Sequence, residues 1–527
     1  MAGLTAEELH TLLQGTGEYA LVDAREPRVT AERGSILLGV SLPLSVLELR
    51  ADALIPRRST PVVVYDGGDE DLATRAADKL LKLGWTDVRV LDGGLKAWAG
   101  AGYKVQTGGD HVIGQAFGEW IEDVYDTPHL TVEEFRRKRA AGEDLVLLDS
   151  RPIGEFENHS LPGGTSIPGA ELVYRAAEVV TSPDTLVVVN CAGRTRSILG
   201  AQVLINAGLP NRVVSLEGGT QSWVLEGHDL EHGRHSLAPE PSGAALEAAH
   251  AAAQRFREKF GLRSIDRATL EQFRAESDKR SLYVLDVRTP EEFEAGHLPG
   301  ATSAPSWDVA PWVFRHIATH HARIVLVDND GVRATVAASW IEQFGWGEVF
   351  VLEDAFAGQA LEEGPVPRTP LAVPDVEAVA PADVTGEFAV VDLQPSHDYR
   401  AAHLPGAVWA LRSRLSASAG AIGGTGPILL TSEDGLLARY AAADLAEATD
   451  RPVRVLDGGT AAWRAEGRPL TSEEPAWLHT PDDAVANGWR ETDPERRKAG
   501  FRRYLAWELG LVEELRADDT VPFRAFP

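Results

Sequence analysis

Val187-Val-Val-Asn190, followed at once by Cys191-Ala-Gly-Arg-Thr-Arg-Ser197, is the stretch on which the fold turns. A short run of β-branched residues with no polar alternation reads as a strand buried on both faces. The apolar, Ala-containing run after it, through Ile198, Leu199, Ala201, Val203, Leu204 and Ile205, reads as a helix. Strand, tight loop and helix in that order imply a parallel sheet with helices packed on it. Ligands of such sheets bind beyond the carboxyl ends of the strands, where Cys191 falls.

The same unit recurs. Strand-like runs ending in Asp stand at Ala20–Asp23, Val146–Asp149, Tyr283–Asp286 and Ala389–Asp392. Three continue with Arg two residues later (Arg25, Arg151, Arg288); the fourth has Gln394. Leu-Pro-Gly turns follow at 161–163, 298–300 and 404–406. Second strands are Val62–Tyr65, Val187–Asn190, Ile324–Val327 and Ile428–Thr431. Three copies close on a Gly pair and a Trp: Gly93-Gly94 with Trp98, Gly218-Gly219 with Trp223, Gly458-Gly459 with Trp463. The third has Glu353-Asp-Ala355 instead. Short buried strands alternating with helices predict an α/β protein of four tandem domains, each a parallel sheet covered by helices on both faces. The expected bounds are 1–106, 127–230, 262–368 and 372–472, with a helical tail over 473–527. The stretches near 107–127 and 228–261 read as linkers with some helix. In the tail, Phe501, Tyr504, Leu505, Trp507 and Leu509 interleave with charges, which predicts an amphipathic helix lying on a neighbouring domain.

The chain of 527 residues carries a formal charge of −28. That argues against a broad phosphate-binding surface, so no nucleic-acid partner is expected. Met1 to Leu13 has no continuous apolar core, and no apolar run is long enough to cross a bilayer. The expectation is therefore a cytoplasmic protein without a membrane partner. The single cysteine excludes an internal disulfide and a multi-cysteine metal site; no metal and no cofactor are expected.

A lone thiol is ordinarily a small hydrophobe, but the neighbours of Cys191 argue otherwise. At the entrance to a helix it meets unpaired N–H groups and the positive end of the dipole. Arg194 and Arg196 add two charges nearby. These effects favour thiolate, which predicts a nucleophile. The same N–H groups make an anion site.

These residues resemble the rhodanese family over roughly 4–470. The resemblance rests on the Asp-x-Arg strand end, the Leu-Pro-Gly turn, the six-residue loop Cys191 to Arg196 and the Gly-Gly…Trp ending; the loop is the most specific of them. It implies a thiosulfate sulfurtransferase in which Cys191 takes the outer sulfur of thiosulfate as a persulfide and passes it to cyanide or a thiol. Ala192, Gly193, Arg194, Thr195, Arg196 and Ser197 would hold the persulfide and the donor anion. Asp149 and Arg151, with Glu155, read as a supporting ion pair and cap. At the cysteine position the other copies have Asp66, Asn329 and Ser432 by this reading, none able to hold a persulfide.

Other readings remain at this stage. A cysteine phosphatase of the related type needs an Arg six residues after the Cys, where Ser197 stands. A non-enzymatic scaffold would suit three copies without cysteine. Mercaptopyruvate is an alternative donor, although two arginines favour a small dianion.

Overall fold

The computed structural model describes residues 3–109, 111–366, 370–473, 475–485 and 487–527. Of the expected domain bounds, residue 1 and residue 368 lie outside the described residues.

Four sheets form, one for each repeat. In the second, the strands lie in the spatial order His129–Leu130, Val213–Leu216, Leu186–Asn190, Leu145–Asp149, Thr165–Ser166, all parallel. Leu186–Asn190 is buried throughout, which is why its sequence has no polar alternation. The chain leaves Leu145–Asp149 toward one edge of the sheet and Leu186–Asn190 toward the other. The crevice between those two carboxyl ends is the topological switch point, and Cys191 lies there.

The Asp-x-Arg pairs are structural in three copies. Arg151 Nε donates to Asp149 Oδ1 at 2.9 Å and Nη2 to Oδ2 at 2.8 Å; Arg25–Asp23 and Arg288–Asp286 repeat the geometry. Each Arg also donates to a carbonyl eight or nine residues on, at Gly34, His159 or Gly296, tying the strand end to the turn. The Gln394 side chain keeps the carbonyl bond, to Ala402 at 3.0 Å, and loses the pairing to its Asp carboxylate.

The Gly pairs also have a steric cause. Gly219 has φ +50°, and a Cβ there would lie 2.2 Å from the Cys191 carbonyl oxygen. Gly94 and Gly459 make the same approach, to Asp66 O and Ser432 O. Only glycine fits such a contact with positive φ.

The structure changes several expectations. Asp286 pairs in register with Val327 as Asp149 does with Asn190. The residue at the cysteine position of the third copy is therefore Asp328, not Asn329. The sequence offered Asp328-Asn329-Asp330 without a register mark, and the sheet supplies it. The first sheet is not wholly parallel: Thr319–His320, from the third repeat, joins Tyr19–Asp23 antiparallel. The tail is not purely helical, since Ala476–Trp477 adds a strand to the fourth sheet. Its helix, Pro494–Arg516, buries Phe501, Glu508, Leu511 and Leu515, whereas Leu509 is 57% exposed. The expected linkers hold the helices Ile113–Tyr125 and Gly243–Phe260, whose apolar faces are buried. Phe117 of the first packs against Trp340, Phe344 and Phe523, so these segments are core between repeats rather than spacers.

Candidate active site

Cys191 follows the buried strand and is itself only 2% exposed. Its Sγ donates to Ser197 Oγ at 3.5 Å, and Ser197 Oγ donates to the Arg194 carbonyl at 2.8 Å. Thr220 N–H and Gln221 N–H hold the carbonyls of Cys191 and Ala192 at 3.0 and 3.1 Å. The loop is thus clamped from outside by its carbonyls. Among the described residues, no protein acceptor takes the backbone N–H groups of Ala192, Gly193, Arg194, Thr195 or Arg196. Buried N–H groups are ordinarily paired. Five free ones in the loop that follows the thiol, at the start of the helix Thr195–Asn206, make an anion cradle.

The two arginines do different things. Arg196 donates from both terminal nitrogens to Glu155 at 2.8 and 2.9 Å and lies over the Trp312 ring, 5.4 Å from its centroid. It faces Cys191 closely enough to oppose loss of thiolate. Glu155 is therefore more than a cap: burial works against its ionisation, but Arg196 and then Arg151 outweigh burial and hold its carboxyl below the ordinary value. Arg194 points away. Its Nε reaches Glu119 at 2.8 Å, Nη2 bonds Glu122, and Nη1 lies 3.7 Å from Glu217. Three carboxylates absorb its charge, so the expected contribution of Arg194 to the thiol and the donor reduces to its backbone. Asp149 accepts from Asn190 Nδ2 at 2.8 Å, which couples the Asp149–Arg151 pair to the residue before Cys191.

The expected low thiol pKa is not found in this conformation. Burial pushes the Cys191 thiol up, and Glu508 adds to that; Arg196 and Ser197 oppose it. A helix entrance and one guanidinium do not outweigh near-complete desolvation.

The residues that sequence reasoning missed come from outside the repeat. Glu508 and Tyr504 of the C-terminal helix cover the loop: a Cβ on Gly193 would lie 3.0 Å from Glu508 Oε2 and 3.1 Å from Tyr504 Cε1. Thr195 Oγ1 and Tyr504 OH donate to Glu508 Oε1 at 3.1 and 3.0 Å. The signal was available in the helical spacing Phe501, Tyr504, Glu508, Leu511, Leu515, where one carboxylate interrupts an apolar stripe. Gly118 of the helix Ile113–Tyr125 abuts Thr195, where a Cβ would come within 2.7 Å of its methyl. That close approach lets Glu119 reach Arg194. Beside the loop opens a cleft of about 1690 Å³, lined among others by Ala192, Arg196, Gln221, Trp312, Trp489 and Tyr504.

Among the described residues no cluster of His, Cys, Asp or Glu could hold a metal ion, and no helix is long and apolar enough to cross a membrane.

Comparison with known proteins identifies this architecture. The Rhodanese-like domain family matches residues 5–101, 131–226, 269–360 and 378–466, and the chain belongs to that family. It is similar along its whole length to a crystal structure of a thiosulfate sulfurtransferase from Pseudomonas aeruginosa, at 40% identity, with 100% of both chains covered and a TM-score of 0.95. A putative thiosulfate sulfurtransferase, SseB, from Mycobacterium tuberculosis is 31% identical over 129 residues, 22% of this chain and 43% of that protein. A putative sulfur carrier protein, YrkF, from Bacillus subtilis is 27% identical over 142 residues, 25% of this chain and 72% of that protein. The chain spans less than half the length of the Mycobacterium relative. The full-length likeness supports sulfurtransferase activity.

Proposed function

We propose that the protein is a thiosulfate sulfurtransferase that carries the transferred sulfur on Cys191. The observation that carries this reading is a thiol at the base of a loop with five unpaired N–H groups, beside Arg196, with Ala192 and Arg196 of that loop lining a cleft. The Cys191 thiolate attacks the outer sulfur of thiosulfate. The S–S bond of the donor breaks and sulfite leaves with its electron pair. Cyanide or a thiolate then attacks the terminal sulfur of the persulfide, and the Cys191 thiolate is the leaving group. The cradle stabilises the negative charge that the persulfide and the departing sulfite share. Arg196, fixed by Glu155 and Trp312, supplies the full positive charge, and Ser197 holds the thiol in line.

The test is sulfur uptake. Thiosulfate alone should add one sulfur atom per chain by intact mass, and cyanide should remove it, with ping-pong kinetics. No other cysteine is present to resolve the persulfide, so the loaded form should persist until an acceptor arrives. Cys191→Ser should take up no sulfur and lower turnover by at least about 1000-fold. Sulfur transfer by that variant would overturn the reading.

A further inference from the structure

Glu508 lies outside every rhodanese-like match, the last of which ends at residue 466, yet it is a buried acidic group that bonds Thr195 and lies over Gly193 of the Cys191 loop. It is fully buried, and its Oε2 has no hydrogen-bond partner while lying against Gly193. Leaving a buried carboxyl oxygen unpaired is costly, and such an atom calls for a partner or a role. The free oxygen adjoins the free N–H groups.

Such a carboxyl beside an anion cradle has two opposite effects. Ionised, it repels any anion entering the cradle. Neutral, its O–H is a hydrogen-bond donor among the N–H donors and adds to the cradle. The surroundings select the neutral form. Burial comes first, and the Glu119 carboxylate of the helix Ile113–Tyr125 adds to it; Tyr504 of its own helix, Arg194 and Thr195 of the loop oppose it. Arg194 is spent on Glu119, Glu122 and Glu217, and Cys191 on the floor of the loop is itself a potential anion. The balance pushes Glu508 up to about 8.

We propose that Glu508 is a donor-binding residue of this site: its neutral carboxyl donates a hydrogen bond to an oxygen of the anionic sulfur donor, and its ionised form turns that donor away. The proposal rests on the sulfurtransferase reading above. A carboxyl set in this way selects donors that end in oxyanion groups, since an oxygen acceptor must face its O–H. The C-terminal helix thereby completes a site that the second repeat alone leaves open on one side.

The experiment compares kcat/KM for thiosulfate, with cyanide as acceptor, in wild type, Glu508→Gln and Glu508→Ala from pH 6 to about 9.5. Gln keeps a donor and cannot ionise. The ratio of the Gln variant to wild type should be flat on the acid side of pH 8 and rise about tenfold per pH unit above it. Ala should raise the donor KM about tenfold at neutral pH, and Gln should recover most of that loss. A ratio that stays constant with pH overturns the proposal, as does an effect confined to kcat. Thermal melting and sulfur uptake by intact mass at neutral pH show that each variant is assembled; if Ala fails there, the Gln ratio alone decides. Failure of wild type to load sulfur at any pH would sink the underlying sulfurtransferase reading instead, a separate outcome.

Discussion

The loop at 191–197 and its counterpart at 328–334 each follow a five-residue parallel strand and carry an arginine at the sixth position. Arg333 donates to both oxygens of Glu292 at 2.7 and 2.9 Å, as Arg196 does to Glu155. The arginine pair therefore belongs to the shared frame, not to the chemistry alone. The difference lies in what occupies the cradle. In the third copy the Asp328 carboxylate accepts from Gly331 N–H at 2.6 Å and Ala334 N–H at 3.0 Å. In the first, Asp66 accepts from Gly68 and Ala73 N–H groups at 2.8 and 2.9 Å. These copies carry their own acceptor. The second copy leaves the N–H groups free and puts a thiol where the carboxylate would be. That position, together with the other acceptors carried by the loop, decides between a loop that is satisfied internally and one that needs a ligand.

The most severe test moves the thiol. In a Cys191→Ser background, Asp328→Cys restores a cysteine to a six-residue loop with its arginine. Asp330 still sits on that loop, and its carboxylate takes the Val332 N–H at 3.2 Å. The variant should be alkylated yet load less than about 1% of the sulfur that wild type takes from thiosulfate. Full loading, read by intact mass, would show that the thiol alone distinguishes the copies and that the free cradle is incidental.

A smaller effect separates frame from chemistry. Gly219→Ala and Gly459→Ala insert a Cβ within 2.2 and 2.1 Å of a carbonyl oxygen, at φ +50° and +64°. Each should cost roughly 2 kcal/mol of stability. Only the first moves the Cys191 loop, so it alone should also lower kcat/KM, by about 100-fold, because loop misplacement is felt at the reacting atoms. Equal kinetics in the two variants would break the assignment of chemistry to the second copy.

How far the sequence could be read follows from what each feature depends on. The four-fold repeat was legible because buried parallel strands write themselves as Val/Ile/Leu runs, and because Gly219 and Leu-Pro-Gly turns are local necessities. The Cys191 loop was legible for the same reason: thiol, N–H groups and helix start are contiguous. What was not legible depends on long-range packing. Asp328 could not be told from Asn329 without the pairing of Asp286 with Val327. The sequence presents Arg194 as a free charge because Glu119 and Glu122, which bind it, approach from some seventy residues away. The thiol was read as acidic because its covering helix, with Tyr504 and Glu508, lies about three hundred residues on. Burial, which reverses the expected shift, is a property of the folded site, and Glu508 of that helix adds to it.

The mildest contrast is between the Asp149 and Asp392 strand ends. Asp149 faces the Arg151 guanidinium. Asp392 has Gln394 in that place and receives its backbone N–H at 2.9 Å on Oδ1, while Oδ2 has no partner. Burial without a counter-charge pushes Asp392 up to about 7; the Gln394 N–H opposes this and Glu433 adds to it. An acid whose folded value is raised binds its proton more tightly when folded. It therefore favours folding fully below the unfolded value near 4, and that stability is lost as pH rises through about 7. The full difference corresponds to roughly 4 kcal/mol, of which Asp392→Asn should recover about half, since a buried amide still lacks a partner. Amide exchange in the strand Ile428–Thr431, which pairs with Ala389–Asp392, reads the effect locally. At about pH 8 the Asn variant should exchange more slowly than wild type by roughly 2 kcal/mol of protection, and near pH 4 the order should reverse, because the neutral acid keeps the half that the amide does not recover. Protection that differs by the same amount and in the same direction at both pH values would show that Asp392 is not neutral in the folded fourth copy, and that losing the arginine left a buried carboxylate rather than a carboxylic acid.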